Sequence, residues 1–430
     1  MIDVLGLFPP GSLVDDEGEL VVGGCRLTAL AEEFGTPVMV VAEDAVRQRA
    51  RDYLAAFRNR WPRSDVAFAS KAFPCTAIQR LMAEEGLLLD VAGGGEIVTA
   101  LAAGADPARM VLHGNAKTDE DLEMAIHHGV GLVVVDNEDD IDRLERIVGP
   151  GRRQPCLVRV IPGIQADTYA AVATGHAGSK FGLDPEAARA AIARIRRSRR
   201  MRCDGVHTHV GSQILNVDQL AAAVAPIAEL GEFDVYDFGG GLGVRYTYAD
   251  HPPTLDEYAA ALVNQARSLL PAQAQILVEP GRSMTAAAAC TVYRVTTVKR
   301  GELTHVAVDG GMGDNLEVSL YGQRFEATVV NRLGGGDTVN LVGRHCESGD
   351  QLIDGVPLRD PVVGDLLAVP VTGAYCYTMS NQYNGARRIP VVLVSDGNPR
   401  LVVRRDTWDD LLARDCLLYT SDAADDSLRV

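Results

Sequence analysis

VAFASKAFPCTAIQRLMAEEGLLLDVAGGGEIVTALAAG (residues 66–104) contains one structural period twice. An apolar run of strand length is followed by a stretch with helical spacing, and then the pair repeats. A strand that is apolar on both sides belongs to a parallel sheet covered by helices. The alternation continues through RMVLHGNA, GLVVVDN, PCLVRVIP, CDGVHTHVG, FDVYDFGG and QILVEPGR, with helical patterns between them. Eight such units predict a (β/α)8 barrel over residues 36–284, close to the ~250 residues that fold needs. A doubly wound sheet is the competitor, but no GxGxxG follows the first strand. From residue 285 to 415 the pattern changes to short strands with tight polar turns, such as CTVYRVTTVKRG, FEATVVNRLG and IPVVLVSDG. This predicts a separate C-terminal β domain. Residues 1–35, with the hairpin-like LVDDEGELVV, are expected to pack with it. The tail CLLYTSDAADDSLRV (residues 416–430) continues no periodic pattern and is expected to be non-native and poorly ordered.

The 430 residues are 47% hydrophobic and carry a formal net charge of -17. That balance gives ample core material and excludes nucleic acid as the expected partner, since a phosphate backbone needs a basic face. It leaves room for a small anionic molecule held by a local cluster of donors. The eight cysteines form no CxxC pair, so neither a zinc site nor a redox motif is expected. The N-terminal segment lacks the basic and apolar regions of a signal peptide, and no run is long enough to span a membrane. A cytoplasmic chain with free thiols is the expectation.

Lys71 sits at the end of the first predicted strand. An unpaired ammonium buried there lowers its pKa, or snorkels past Ser70 and Ala72, or serves as a carbonyl-trapping amine. The ends of the other strands inform that choice, because barrel active sites lie at the C-terminal ends of the strands. There the sequence places Asp90, Glu96, His113, Arg159, His207, His209, Ser212, the Gly239–Gly240–Gly241 run, Glu279 and Arg282. A glycine run is often only a turn, yet at a strand end its N–H groups can cradle phosphate. His207 and His209 point the same way along a strand and could stack on a ring or bind metal, but no third ligand is evident and no metal is expected. An amine, an acid for a ring nitrogen and a phosphate cup are the requirements of pyridoxal 5'-phosphate. In the β domain, Cys346 in GRHCESGD is either an inert buried thiol or a proton donor.

The motifs FASKAF, DVAGGGE, HGNAK, TGHAGSKFG, HTHVGSQI, DFGGGLGVRY, EPGRS, VDGGMGDN, HCESGD and GAYCYTMSNQYN follow in that order. In this the chain resembles the fold-type III pyridoxal-phosphate decarboxylases, and within them the diaminopimelate decarboxylases of lysine biosynthesis. The resemblance spans about residues 35–415. It implies an alanine racemase-like barrel and β domain, and decarboxylation of meso-2,6-diaminopimelate to L-lysine. It implies that Lys71 holds the cofactor covalently, with His209 stacked on its ring and Glu279 paired with the ring nitrogen. Asp90 and Arg159 belong to the implied cofactor set, and Ser212, Gly239, Gly240, Gly241, Arg282 and Tyr375 surround its phosphate or nearby substrate groups. Tyr321 and Glu347 meet the substrate. Cys346 is the implied general acid and reaches the site from a partner subunit, so a homodimer is implied.

One position departs from the pattern. Where the family places a carboxylate-binding arginine, four residues before the tyrosine of LYG, this chain has Glu317. Either Arg324 supplies the missing charge, or the distal pocket prefers a cation such as the side chain of lysine, ornithine or arginine. Gly93 and Ile161 are smaller departures. A racemase-like enzyme and a non-catalytic homologue are the rival readings. The CESGD loop speaks against the first, and the presence of both Lys71 and Cys346 against the second.

Overall fold

The computed structural model describes residues 4–164, 175 and 178–416. Eight parallel strands close into a barrel: β1 (Ser64–Ala69), β2 (Leu88–Val91), β3 (Met110–Leu112), β4 (Leu132–Val135), β5 (Gln154–Arg159), β6 (Met201–His207), β7 (Val235–Asp237) and β8 (Gln275–Val278). β8 pairs with β1 to complete the ring. Helices follow the strands as the periodicity predicts. Sequence-local caps set their starts, as at Thr118 and Thr254, where each hydroxyl accepts the N–H three residues on and the acid there returns the bond.

Alternation along each strand sorts the barrel residues into two environments. Val66, Phe68, Leu89, Leu112, Val133, Val158, Tyr236 and Ile276 pack outward in the large core shared with the helices. Ala67, Val111, Val134, Leu157, Val235 and Leu277 form a buried cluster of their own, with Leu88 and Leu132 against it. This plugs the barrel interior. Two residues further along these strands the chain turns polar: Asp90, His113, Asp136, Arg159, Asp237 and Glu279, with His207 on β6, are all buried. The active-site layer is thus the next pleat above an apolar floor.

The start of the barrel differs from the expectation of residue 36. Val38–Ala42 is a strand of the second sheet, where it pairs antiparallel with Ala289–Lys299 and parallel with Val391–Ser395. All five of its residues are buried, so its pattern suits an interior strand of either sheet, and only the pairing decides. Helix Glu43–Arg58 then enters the helical ring. Phe57 packs edge-on against Tyr258 at 5.5 Å. This helix occupies the place that a helix after β8 would fill, where only the short Arg282–Thr285 turn is found.

The second domain is a nine-stranded mixed sheet built around Ala289–Lys299. The N-terminal strands form a small separate sheet that covers it. Leu20, Val22, Leu27 and Leu30 pack with Val38, Val40, Val292 and Val394 in a second core. Among the described residues, no helix is long and apolar enough to cross a membrane. The tail from residue 417 and positions 174, 176 and 177 of the TGHAGSKFG motif lie outside the described residues.

Candidate active site

A cavity of about 280 Å³ opens at the C-terminal ends of the strands. Its wall includes Lys71, Asp90, Arg159, His209, Ser212, Gly240, Gly241, Glu279 and Tyr375, all singled out in the sequence, together with His113 and His207. Lys71 is not in the strand itself but on the one-turn helix Ser70–Ala72 that follows β1. Its accessible surface opens into this cavity. Burial is the largest single influence and pulls its pKa down, but Asp90, Tyr375 and Glu279 together outweigh it, and the net shift is upward. The expected lowering is therefore reversed, because the polar layer around the amine is rich in acids.

Glu279 is the most heavily bonded acid of that layer. Its Oε1 lies 2.6 Å from His113 Nε2 and its Oε2 3.3 Å from His207 Nε2. A carboxylate only accepts, so both imidazoles donate through Nε2. Burial drives His207 down to about 3, and it stays neutral. Burial, then the charge of Lys71, holds His209 well below its ordinary range as well. Its Nδ1 accepts the Gly240 N–H at 3.1 Å. Gly239 (φ +62°) has no alternative: a Cβ there would sit 2.5 Å from His209 Nδ1. At Gly240 a Cβ would lie 2.3 Å from the Glu279 carbonyl oxygen. Glu96 lies close by, with Oε2 accepting the Ala92 N–H at 2.8 Å, and burial pushes its carboxyl up to about 7.

Tyr375 is held at φ +64°, a strained angle for a non-glycine residue, by its N–H bond to the Ala72 carbonyl at 2.8 Å. The Arg282 guanidinium lies over its ring at 4.6 Å. Arg282 does not line the cavity but stands behind its wall: Nε donates to Ser212 Oγ at 3.2 Å and Nη1 pairs with Glu317 Oε1 at 2.7 Å. Nη1 also donates to the Tyr246 hydroxyl, which in turn reaches Glu317 Oε2 at 3.4 Å. Glu317 is fully buried. It is a counter-ion to Arg282, not a carboxylate facing the cavity. Arg324 is exposed and lines a separate groove of about 500 Å³ with Ser319, Gln323 and Gln351. The structure therefore brings neither Glu317 nor Arg324 into the cavity wall.

Cys346 and Glu347 are exposed on the loop of residues 344–350 and do not line the cavity of their own chain. Asp350 organises this loop: Oδ1 accepts the Met312 N–H at 2.6 Å and Oδ2 the His345 N–H at 2.8 Å. Tyr321 is half-buried on the helix Leu316–Tyr321 and is absent from the wall.

Sequence reading gave no role to Asp136 and Asp237, and found no third ligand to set beside the two histidines. The fold sets His207, without His209, beside His113, Asp237 and Glu279, with one side-chain nitrogen or oxygen of each within 4.8 Å of the others. The signal that finds these residues is the pleat, since each lies two residues beyond an interior position of its strand.

The family described as pyridoxal-dependent decarboxylase, pyridoxal binding domain, matches residues 43–286. The chain is 44% identical over 424 residues to a diaminopimelate decarboxylase of Actinosynnema pretiosum subsp. auranticum, covering 95% of both chains. It is 40% identical to that of Bacillus subtilis (strain 168), covering 93% of this chain and 96% of that one. The crystal structure of diaminopimelate decarboxylase from M. jannaschii in complex with L-lysine superposes with a TM-score of 0.89 at 29% identity, over 95% of this chain and 98% of that one.

Proposed function

The chain belongs to the diaminopimelate decarboxylases among the pyridoxal-dependent decarboxylases, and from that premise we propose that it converts meso-2,6-diaminopimelate to L-lysine and carbon dioxide. The observation that carries the reading is one cavity holding both the Lys71 amine and a Glu279 carboxylate anchored by two histidines.

The wall fits pyridoxal 5'-phosphate. It offers an amine for the aldehyde, an anion for the ring nitrogen, a neutral imidazole, and a glycine edge where a Cβ would collide with backbone. Lys71 would hold the aldehyde carbon, His209 the ring face, and Ser212, Gly240 and Gly241 the phosphate. When bound, the cofactor supplies an electron sink for the pair left on the α-carbon as carbon dioxide departs. Glu279 keeps a proton on the ring nitrogen, because its charge favours the protonated form. Arg282 fixes Ser212 and the ring of Tyr375 from behind. Asp90 and Arg159 set the charge around Lys71, and Tyr321 would meet the distal end of the substrate.

The product needs one proton at the α-carbon. We assign its delivery to Cys346, and contact with the distal end of the substrate to Glu347. Their exposure on the loop of residues 344–350 supports a homodimer in which each chain completes the cavity of the other. Eight unpaired cysteines fit a reducing cytoplasm.

The rival reading, a decarboxylase of a basic amino acid, needs Glu317 to face substrate, and both its oxygens are turned to Arg282 and Tyr246. The test is carbon dioxide release from meso-diaminopimelate, lysine, ornithine and arginine. Turnover of the first is expected, and turnover of the others alone would overturn the reading. Hydride reduction followed by peptide mass spectrometry is expected to find a pyridoxyl group on Lys71.

A further inference from the structure

We propose that Asp237 is a neutral carboxylic acid that donates a hydrogen bond to the Glu279 carboxylate, and so acts as a positioning residue for the group that faces the cofactor ring. The inference rests on the reading that Glu279 meets that ring.

The geometry leaves one arrangement of the proton. Asp237 ends β7 and is fully buried. Its Oδ1 accepts the Gly239 N–H at 2.9 Å. Its Oδ2 is buried and receives a hydrogen bond from no donor among the described residues. The neighbouring acid is Glu279, with a carboxyl oxygen within 4.8 Å of an Asp237 carboxyl oxygen. Two ionised carboxylates that close, out of water, repel strongly, so one of them carries a proton.

Donor count decides which one. Glu279 receives His113 and His207, two imidazole donors that favour its anion. Asp237 receives one backbone N–H, and among the described residues no ion pair reaches it; Arg159 is paired with Asp136 at 3.5 Å instead. Burial, then Glu279, holds the Asp237 carboxyl well above the ordinary range. Glu279 lies well below it: burial raises it, but His113 and then His207 outweigh that.

The backbone makes the contact rigid. The Gly239 N–H binds the Asp237 side chain, and the Gly239 carbonyl accepts the Glu279 N–H at 2.8 Å. With His113, His207 and Asp237 around its oxygens, Glu279 has its remaining acceptor capacity directed into the cavity.

Asparagine is the diagnostic replacement. Its carbonyl accepts from Gly239 and its amide donates to Glu279, as a protonated acid would, and it cannot ionise. Asp237→Ala is expected to lower kcat about tenfold or more, the effect of losing a buried bond to a charged group. It should also shift the pH profile of the bound cofactor's visible absorption. Asp237→Asn should restore kcat to within about threefold of the native chain and return the profile. Infrared difference spectra of Asp237→Asn against the native chain, in the cofactor-free protein at neutral pH, should show loss of one carboxylic-acid carbonyl band. That readout needs neither cofactor nor substrate, so it separates failure of this inference from failure of the functional reading. The inference falls if no such band exists, if Asp237→Asn behaves like Asp237→Ala, or if Asp237→Ala behaves like the native chain. A cation held by the four groups would need Asp237 ionised, and the missing band would reveal it.

Discussion

Both carboxylate oxygens of Glu317 are directed into the protein, onto Arg282 and Tyr246, and the side chain has no exposed surface. Removing one partner of a buried ion pair leaves the other charge uncompensated. Glu317→Gln should therefore destabilise the fold by about 3 kcal/mol in denaturant unfolding. Glu317→Arg, which restores the family's residue, should cost more, because two guanidinium groups would then meet. A Glu317→Arg protein with native stability and raised activity would refute this account. A second buried acid gives a pH prediction. Asp314 accepts the Gly311 N–H at 2.9 Å, and burial pushes its carboxyl up to about 7 from 3.8. An acid raised in the folded state stabilises the fold while protonated. That contribution is whole below about pH 4 and lost as pH climbs toward 7. Asp314→Asn cannot ionise, so its stability relative to the native chain should rise with pH across that window and level off above it. Urea midpoints at stepped pH measure the difference, and a flat profile would count against the assignment.

At the scale of elements, the loop of residues 344–350 depends on one side chain. Asp350 accepts from Met312 on a neighbouring turn and from His345 beside Cys346. Asp350→Ala strands both donors, at about 1–3 kcal/mol for each buried group left unpaired. The expected result is a protein that keeps its visible cofactor band but loses kcat much as Cys346→Ala does, because the thiol is no longer held in place. Full activity in Asp350→Ala would show that the loop is ordered by something else. The barrel strands illustrate what is legible at this scale. Their apolar runs and the helical spacing between them were readable, because strand and helix periods are local properties of the chain. The polar layer was readable only in part. Lys71, Asp90, Arg159, His207 and Glu279 stand out as charged or titratable residues at strand ends. Asp237 and Asp136 read as ordinary turn acids until the pleat places them two residues above the barrel floor.

At the scale of the molecule, the exposed loop and the cavity of one chain are separate, and the proposed dimer unites them. Lys71→Ala and Cys346→Ala would each abolish activity when made alone. Dissociated, mixed in equal amounts and reassociated, they should recover about a quarter of native activity, since half the dimers are hybrids with one intact site of two. Mixtures as inactive as their parents would show that Cys346 serves its own chain or none.

The order of strands and helices, the change to β structure after the barrel, and the identity of the chemical groups at the strand ends were all determined by the sequence alone. Those properties depend on neighbours a few residues apart. The tertiary structure alone decided the sheet that takes Val38–Ala42, the partner of Glu317 and the company of Asp237. Each depends on contacts between residues far apart in the chain: Arg282 and Glu317 are 35 positions apart, and Val38–Ala42 pairs with strands some 250 and 350 residues away. A buried charge takes its partner from whatever the fold brings within reach, and no local period records that choice.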